Sequence, residues 1–294
     1  GHTSTTQSSL IVPEPGSSTL YYVFANAAQG GSVPANNSWS NLGLSYSIVD
    51  MSLNGGLGDV TVKNQSLVVP TSEKLTGIKH CNGIDYWVIV HEFNTNAFYS
   101  YLITSAGISA PVISNAGIVH AGLSFQGQIK ASPNGKRLAS AIVFDPQNRV
   151  ELFDFNNTTG VISNAVLVST GDYAYGVEFS PDNSKLYISS NHLGVIQYSL
   201  GCGTISGRTV VSPYVGSPNP STKALQLGPN GRIYAARFAN YFFLEEIRNP
   251  NAAGLACNYV VGGVSLGTKS CDYGLPNFVQ SYFCLLYTSP SPRD

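Results

Sequence analysis

The sequence predicts an all-β chain built as a β-propeller, and three observations carry that prediction. First, three segments align without gaps at their turns: KASPNGKRLASAIV from Lys130, EFSPDNSKLYISS from Glu178 and QLGPNGRIYAAR from Gln226. Their prolines, Pro133, Pro181 and Pro229, stand 48 residues apart, and a fixed period of roughly 20–50 residues marks a repeat architecture. Second, each segment reads as strand, turn, strand. Proline presets φ where the turn begins, and the Gly or Asn that follows accepts the left-handed position that closes a tight hairpin. Third, runs such as Leu186-Tyr187-Ile188 are continuously apolar, with aromatic and β-branched residues. Such a run is a strand buried on both faces, as a sheet stacked between two neighbours requires. Two more strands follow each hairpin, for example RVELFDF from Arg149. Four short strands in about 40–50 residues is the pattern of a propeller blade, of the WD40/YVTN-like kind.

The remaining units fit the same register with more divergence. The stretch EKLTGIKHCNGIDYWVIVHEF from Glu73 is a hairpin with Asn82-Gly83 at its turn and Cys81 where the others have proline. Its strands continue through AFYSYLIT from Ala97. An earlier unit begins near residue 5, turns at Pro15-Gly16, and resumes after a polar loop, QGGSVPANNSWSN. The blades therefore span about 5–70, 73–115, 125–169, 173–213 and 221–264, with one orphan closing strand at 274–283. Five blades and an orphan strand read as an incomplete ring, and the orphan is expected to lack its partner.

Composition narrows the function classes. Charged residues make up 11% of the 294, against about 25% in typical globular chains. Net charge is −1, so nothing in the charge balance calls for nucleic acid or an anionic membrane. No apolar run approaches the ~20 residues of a spanning helix. The five cysteines form no CxxC pair, which leaves a zinc or redox motif without support; Cys257 and Cys271 are a candidate bridge if the protein is exported. No cofactor or metal is expected. Asn54-Gly55-Gly56-Leu57-Gly58 precedes no helix and is not a phosphate cradle. Asp50, Asn54 and Asp59 read as a turn rather than a calcium site. The glycosylation-type triplets at Asn36 and Asn156 match in sequence alone.

Six motifs together resemble one family. They are DMSLNGGLGDV from Asp50, KLTGIKHCNGIDYWVIVHE from Lys74, ELFDFNNTTGVISN from Glu151, AYGVEFSPD from Ala174, LQLGPNGRIYAA from Leu225 and GLPNFVQSYF from Gly274. The chain resembles the N-terminal propeller of large bacterial surface proteins that carry PKD-type repeats and are exported by type IX secretion, as in gliding bacteria. The resemblance covers nearly all of residues 1–283. It implies a seven-bladed ring, export to the outer surface, and strands and a signal upstream of residue 1. It implies no chemistry and carries no catalytic residues. The last eleven residues, CLLYTSPSPRD from Cys284, resemble a translated sequencing adapter, and the 284–294 tail is read as artefactual.

The stretch KHCNGIDYWVIVHEFN holds His80, Cys81, His91 and Glu92 close together in sequence. Strand geometry separates them. His80 sits at the hairpin turn, and His91 lies at the far end of the second strand, about 20 Å away at 3.3 Å per residue. A single metal ion needs its ligands about 2 Å from it. Loops from second to third strands share a face with the connections between blades. That face is expected to gather His91, Glu92, His120, Asp172, Tyr173, His192 and Arg237. Histidines and a carboxylate around a central opening would serve general acid–base chemistry, so His91, Glu92, His120 and His192 are the catalytic set of a lyase or hydrolase alternative. The favoured expectation is non-enzymatic: a recognition or scaffold propeller, adhesive or gliding-related, whose partner is a glycan, a peptide or a sister domain. Loop tyrosines suit that role, offering rigid amphipathic area at low entropic cost. The ligand residues are then His91, His120, Asp172, Tyr173, His192 and Arg237.

Overall fold

The computed structural model describes residues 5–28, 42–144, 147–201, 203–212, 222–238 and 241–282. The Asn36 triplet, Cys202, Phe283 and the tail from Cys284 lie outside them. Within them, five antiparallel sheets form a ring. The first comprises β1 (Ser9–Pro13), β2 (Leu20–Asn26), β3 (Leu44–Asp50) and β4 (Asp59–Val68). The second comprises β5 (Thr71–Lys79), β6 (Tyr86–Glu92) and β7 (Ala97–Thr104), its outer position split between β8 (Gly107–Ile108) and β9 (Val112–Asn115). The third holds β10 (Ile129–Ala131), β11 (Arg137–Ile142), β12 (Arg149–Phe155) and β13 (Ile162–Thr170). The fourth holds β14 (Ala174–Phe179), β15 (Lys185–Ser190), β16 (Gly194–Leu200) and β17 (Ile205–Val210). The fifth holds β18 (Thr222–Leu227), β19 (Ile233–Arg237), β20 (Phe243–Ile247) and β21 (Tyr259–Ser265).

The repeated turn has one geometry. The amides of Gly83, Gly135, Asn183 and Gly231 each donate to the carbonyl three residues back, at 2.8–3.0 Å. All four residues have φ between 65° and 75°, a conformation cheap for Gly and tolerated by Asn. Cys81 takes the place of the turn prolines and is exposed there.

Burial follows position in the ring. Strands β5, β6, β14 and β15 are buried nearly end to end, because a sheet covers each of their faces. Strand β1 alternates, with Leu10 and Val12 inside and Ile11 57% exposed. Four hydrophobic clusters join consecutive sheets: Leu10 and Phe24 with Leu75 and Val88, Ile89 and Phe98 with Leu138 and Phe153, Val150 with Phe179 and Ile188, and Tyr187 with Leu225 and Ile233. Each fully buried side chain of this size contributes on the order of 1.5–3 kcal/mol. Among the described residues no such cluster joins the fifth sheet to the first.

The axis is filled rather than open. Lys130, Glu178 and Gln226 each stand three residues before a repeat proline, and the 48-residue period brings them together. Lys130 Nζ is 3.7 Å from Glu178 and also donates to Gln226. Gln280 donates to Glu178 at 2.5 Å and accepts from Gln226 at 3.0 Å. Gln280 belongs to the segment read as an orphan strand, and here the expectation is corrected. Val279 makes a parallel bridge to Gly77, Asn277 donates to the Leu75 carbonyl at 2.8 Å, and the Lys79 amide donates to Ser281 at 2.8 Å. The segment thus crosses from the fifth sheet, where the Ala224 amide donates to the Tyr273 carbonyl, to the inner strand of the second. Cys257 and Cys271 are free thiols at opposite ends of β20, so the candidate bridge is not formed. No described helix is long and apolar enough to cross a membrane.

Candidate functional site at the central mouth

The face predicted to carry function is the one onto which β5, β10, β14 and β18 open at their first residues. His91 and His120 do come together there. Their rings stack at 3.6 Å with 13° between planes, and Phe98 meets His91 edge-on. Both are fully buried. His91 Nδ1–H donates to the Glu92 carbonyl at 2.8 Å; His91 Nε2 and both His120 nitrogens have no hydrogen-bond partner among the described residues. Burial pushes His91 down to about 3, with the nearby Lys74 charge adding to it, and carries His120 well below the ordinary imidazole range. The pair is a neutral, sealed piece of core and not an acid–base couple open to substrate.

The other expected residues keep local company. Glu92 accepts from the Tyr99 hydroxyl at 3.3 Å. Asp172 pairs with Arg208 at 2.8 Å. Tyr173 meets the exposed His192 edge-on at 4.9 Å. Arg237 lies over the Tyr241 ring at 4.5 Å and 3.8 Å from Glu245. These contacts belong to sheet 2, to the region of sheets 3 and 4, and to sheet 5. They do not make one catalytic constellation. Among the described residues no group of three or more His, Cys, Asp or Glu comes together to hold a metal ion. Asp50 is a turn residue whose carboxylate accepts from the Ser52 amide and hydroxyl.

At the centre of this face lies a cavity of about 430 Å³, within the size range of small-molecule sites, ~300–1,000 Å³. Two chain segments remote in sequence wall it: Thr5–Ser9, leading into β1, and Tyr273–Asn277, the start of the crossing segment. Gln126 and Tyr175 complete the wall. Inner-strand charges hold these walls in place. Glu73 accepts from the Thr6 amide and hydroxyl, both at 2.9 Å. Lys74 is fully buried and donates to the carbonyls of Phe125, Gln126 and Gly127 at 3.2, 2.9 and 3.1 Å. Burial pushes the Lys74 ammonium down to about 7, with Glu73 opposing, while the three carbonyls give each of its protons an acceptor. Gln7 reaches across, accepting from the Ile129 amide at 2.7 Å and donating to the Ile129 carbonyl at 2.9 Å. Beside the cavity, Lys223 lies over the rings of Tyr175, Phe238 and Tyr273 at 5.0–5.6 Å and donates to Asn191 at 2.7 Å.

None of Thr5, Thr6, Gln7, Tyr175 or Tyr273 stands out in the sequence. A signal did exist: Glu73, Lys74 and Lys223 are charges inside strands at the inner position of a blade, where a charge persists only if the structure pairs it. A second opening, of about 630 Å³, lies at the opposite end between the turns Pro181–Asn183 and Arg248–Ala252. It is shallower, and turn residues rather than inner strands build it.

No family model and no curated protein matches the chain. Solved structures do. A putative 6-phosphogluconolactonase from Bacteroides uniformis shares 14% identity over 81% of this chain and 66% of its own, with TM-score 0.48. The periplasmic gluconolactonase PpgL of Pseudomonas aeruginosa shares 14% over 84% of this chain and 69% of its own, with TM-score 0.48. A functionally unknown protein from Desulfotomaculum acetoxidans shares 15% over 90% and 73%, with TM-score 0.47. The chain spans just under two thirds of the first of these. Likenesses at this level say nothing of substrate or reaction.

Proposed function

We propose that the chain is a recognition propeller that binds a small polar ligand at its central mouth, as part of a protein exported to the bacterial surface. The observation that carries the reading is the cavity itself: a concave, neutral, largely polar site where two chain segments meet Tyr175 of the inner strand β14 and Gln126 ahead of β10. Rigid inner strands and satisfied charges hold its wall in position, which lowers the ordering cost of binding. The export and surface setting rests on the sequence resemblance, as does an adhesive or gliding-related role for the parent protein. The hydrolytic alternative needs an imidazole open to the cavity, and the burial of His91 and His120 weighs against it.

Gly274 supplies the test. It lines the cavity, and a Cβ added there meets nothing within 4 Å. A tryptophan at this position therefore fills the mouth without straining the backbone. In a ligand-observed NMR screen of sugars, short peptides and organic acids, the hits of the wild-type chain should vanish in Gly274→Trp. Hits that persist unchanged in the variant would place recognition elsewhere.

A further inference from the structure

We infer that the ligand of the mouth is an uncharged saccharide, an inference that rests on reading the mouth as a recognition site. The first ground is the neutral polar lining. Thr5 forms part of the wall, with its Oγ1 sealed from solvent and without a hydrogen bond among the described residues. Sugar hydroxyls both donate and accept, so they match neutral hydroxyl and amide groups whichever way those are turned. Ser8, Ser9, Gln126 and Asn277 line the same space, and every one of them is neutral.

The second ground is charge. The charged groups at the mouth already have protein partners. Glu73 is held by Thr6, and Lys74 by three carbonyls. Lys223 is bonded to Asn191 and lies in the field of Asp272. An ionic ligand would surrender its hydration here without gaining a dedicated counter-charge, a heavy penalty. The third ground is shape. Tyr175 and Tyr273 both line the cavity, their rings 5.9 Å apart and tilted by 52°, and Tyr273 is 44% exposed. An exposed aromatic ring beside neutral hydroxyl and amide groups suits a pyranose, which has an apolar C–H face and a polar rim. An extended peptide would instead look for a free strand edge; at the axis, Val279 takes the edge of β5 through Gly77.

The test is an array carrying neutral, uronic-acid-bearing and aminated oligosaccharides beside short uncharged peptides. It is probed with the wild-type chain, Tyr273→Ala, Tyr273→Phe and Gly274→Trp, each checked for native circular dichroism. Neutral saccharides should bind. Affinity should fall about tenfold in Tyr273→Ala, the loss of one ring contact, hold in Tyr273→Phe, and disappear in Gly274→Trp. Binding confined to acidic or aminated saccharides, or to peptides, yet blocked by Gly274→Trp, would overturn the ligand class and leave mouth recognition standing. Binding indifferent to Gly274→Trp, or none at all, would overturn both.

Discussion

The stacked imidazoles of His91 and His120 make stability depend on pH in one direction. Their folded-state values lie far below the ordinary imidazole value of 6.5, His91 at about 3. Above pH 6.5 both states of the chain leave them neutral, and these two rings add nothing to the pH dependence. Below pH 6.5 the unfolded chain takes up protons that the folded chain refuses, and stability falls by up to about 1.4 kcal/mol per pH unit for each histidine. Urea unfolding between pH 7.5 and 4.5 measures the slope. In His120→Phe the slope should drop by roughly half relative to wild type. Equal slopes in the two proteins would mean that the ring titrates in the folded state. The axial network has a similar logic. Lys130→Met leaves Glu178 buried without its cation and should cost about 3–5 kcal/mol. Adding Glu178→Gln should recover much of it, because the second change removes the unpaired charge.

Turns and strands carry the repeat, and they set how much could be read in advance. The prolines at 48-residue spacing made the hairpins of sheets 3, 4 and 5 visible, and Asn82-Gly83 extended them to sheet 2. The same period hid the meaning of Lys130, Glu178 and Gln226, which look like polar exceptions in apolar strands until the ring brings them together. The mouth was not legible. Thr5–Ser9 and Tyr273–Asn277 lie at opposite ends of the chain and follow no repeat, so no local pattern could pair them. The face was anticipated, but His91 and His120 proved to be core while His192 is exposed, because sequence position near a strand end does not reveal whether a ring points into a sheet or into solvent. Junctions between sheets offer a cleaner test of the elements. Trp87 donates from Nε1 to the Asn157 carbonyl at 2.9 Å, and Asn157 donates to the Lys79 carbonyl at 2.9 Å, tying the first hairpin of sheet 2 to the outer turn of sheet 3. Gly160 in that turn has φ of 77°, and a Cβ there would lie 2.6 Å from the Trp87 ring. Gly160→Ala should therefore cost on the order of 3 kcal/mol, from a left-handed alanine and an overpacked indole together. Gly83→Ala shares the strained φ but meets open space, and should cost only about 1–2 kcal/mol.

Across the whole molecule, five sheets share four hydrophobic joints. The crossing segment ties the fifth sheet to the second, through contacts at Tyr273, Asn277, Val279 and Gln280, and it meets the residues ahead of the first sheet at Gln7, which donates to Asn277 at 3.5 Å. Local opening follows the weakest packing. Native-state hydrogen exchange should find β1–β4 and residues 277–281 opening at lower free energy than the inner strands of sheets 3 and 4. Uniform protection around the ring would contradict that. The same asymmetry bears on function, since the cavity lies between Thr5–Ser9 of the first sheet and the start of the crossing segment. A ligand held there touches both sides of the joint that lacks a core. The most direct measurement is hydrogen exchange with and without a saturating neutral oligosaccharide from the array. The account predicts new protection at Thr5–Ser9, Gln126 and Tyr273–Asn277. Protection confined to the opposite end, at Pro181–Asn183 and Arg248–Ala252, would contradict it.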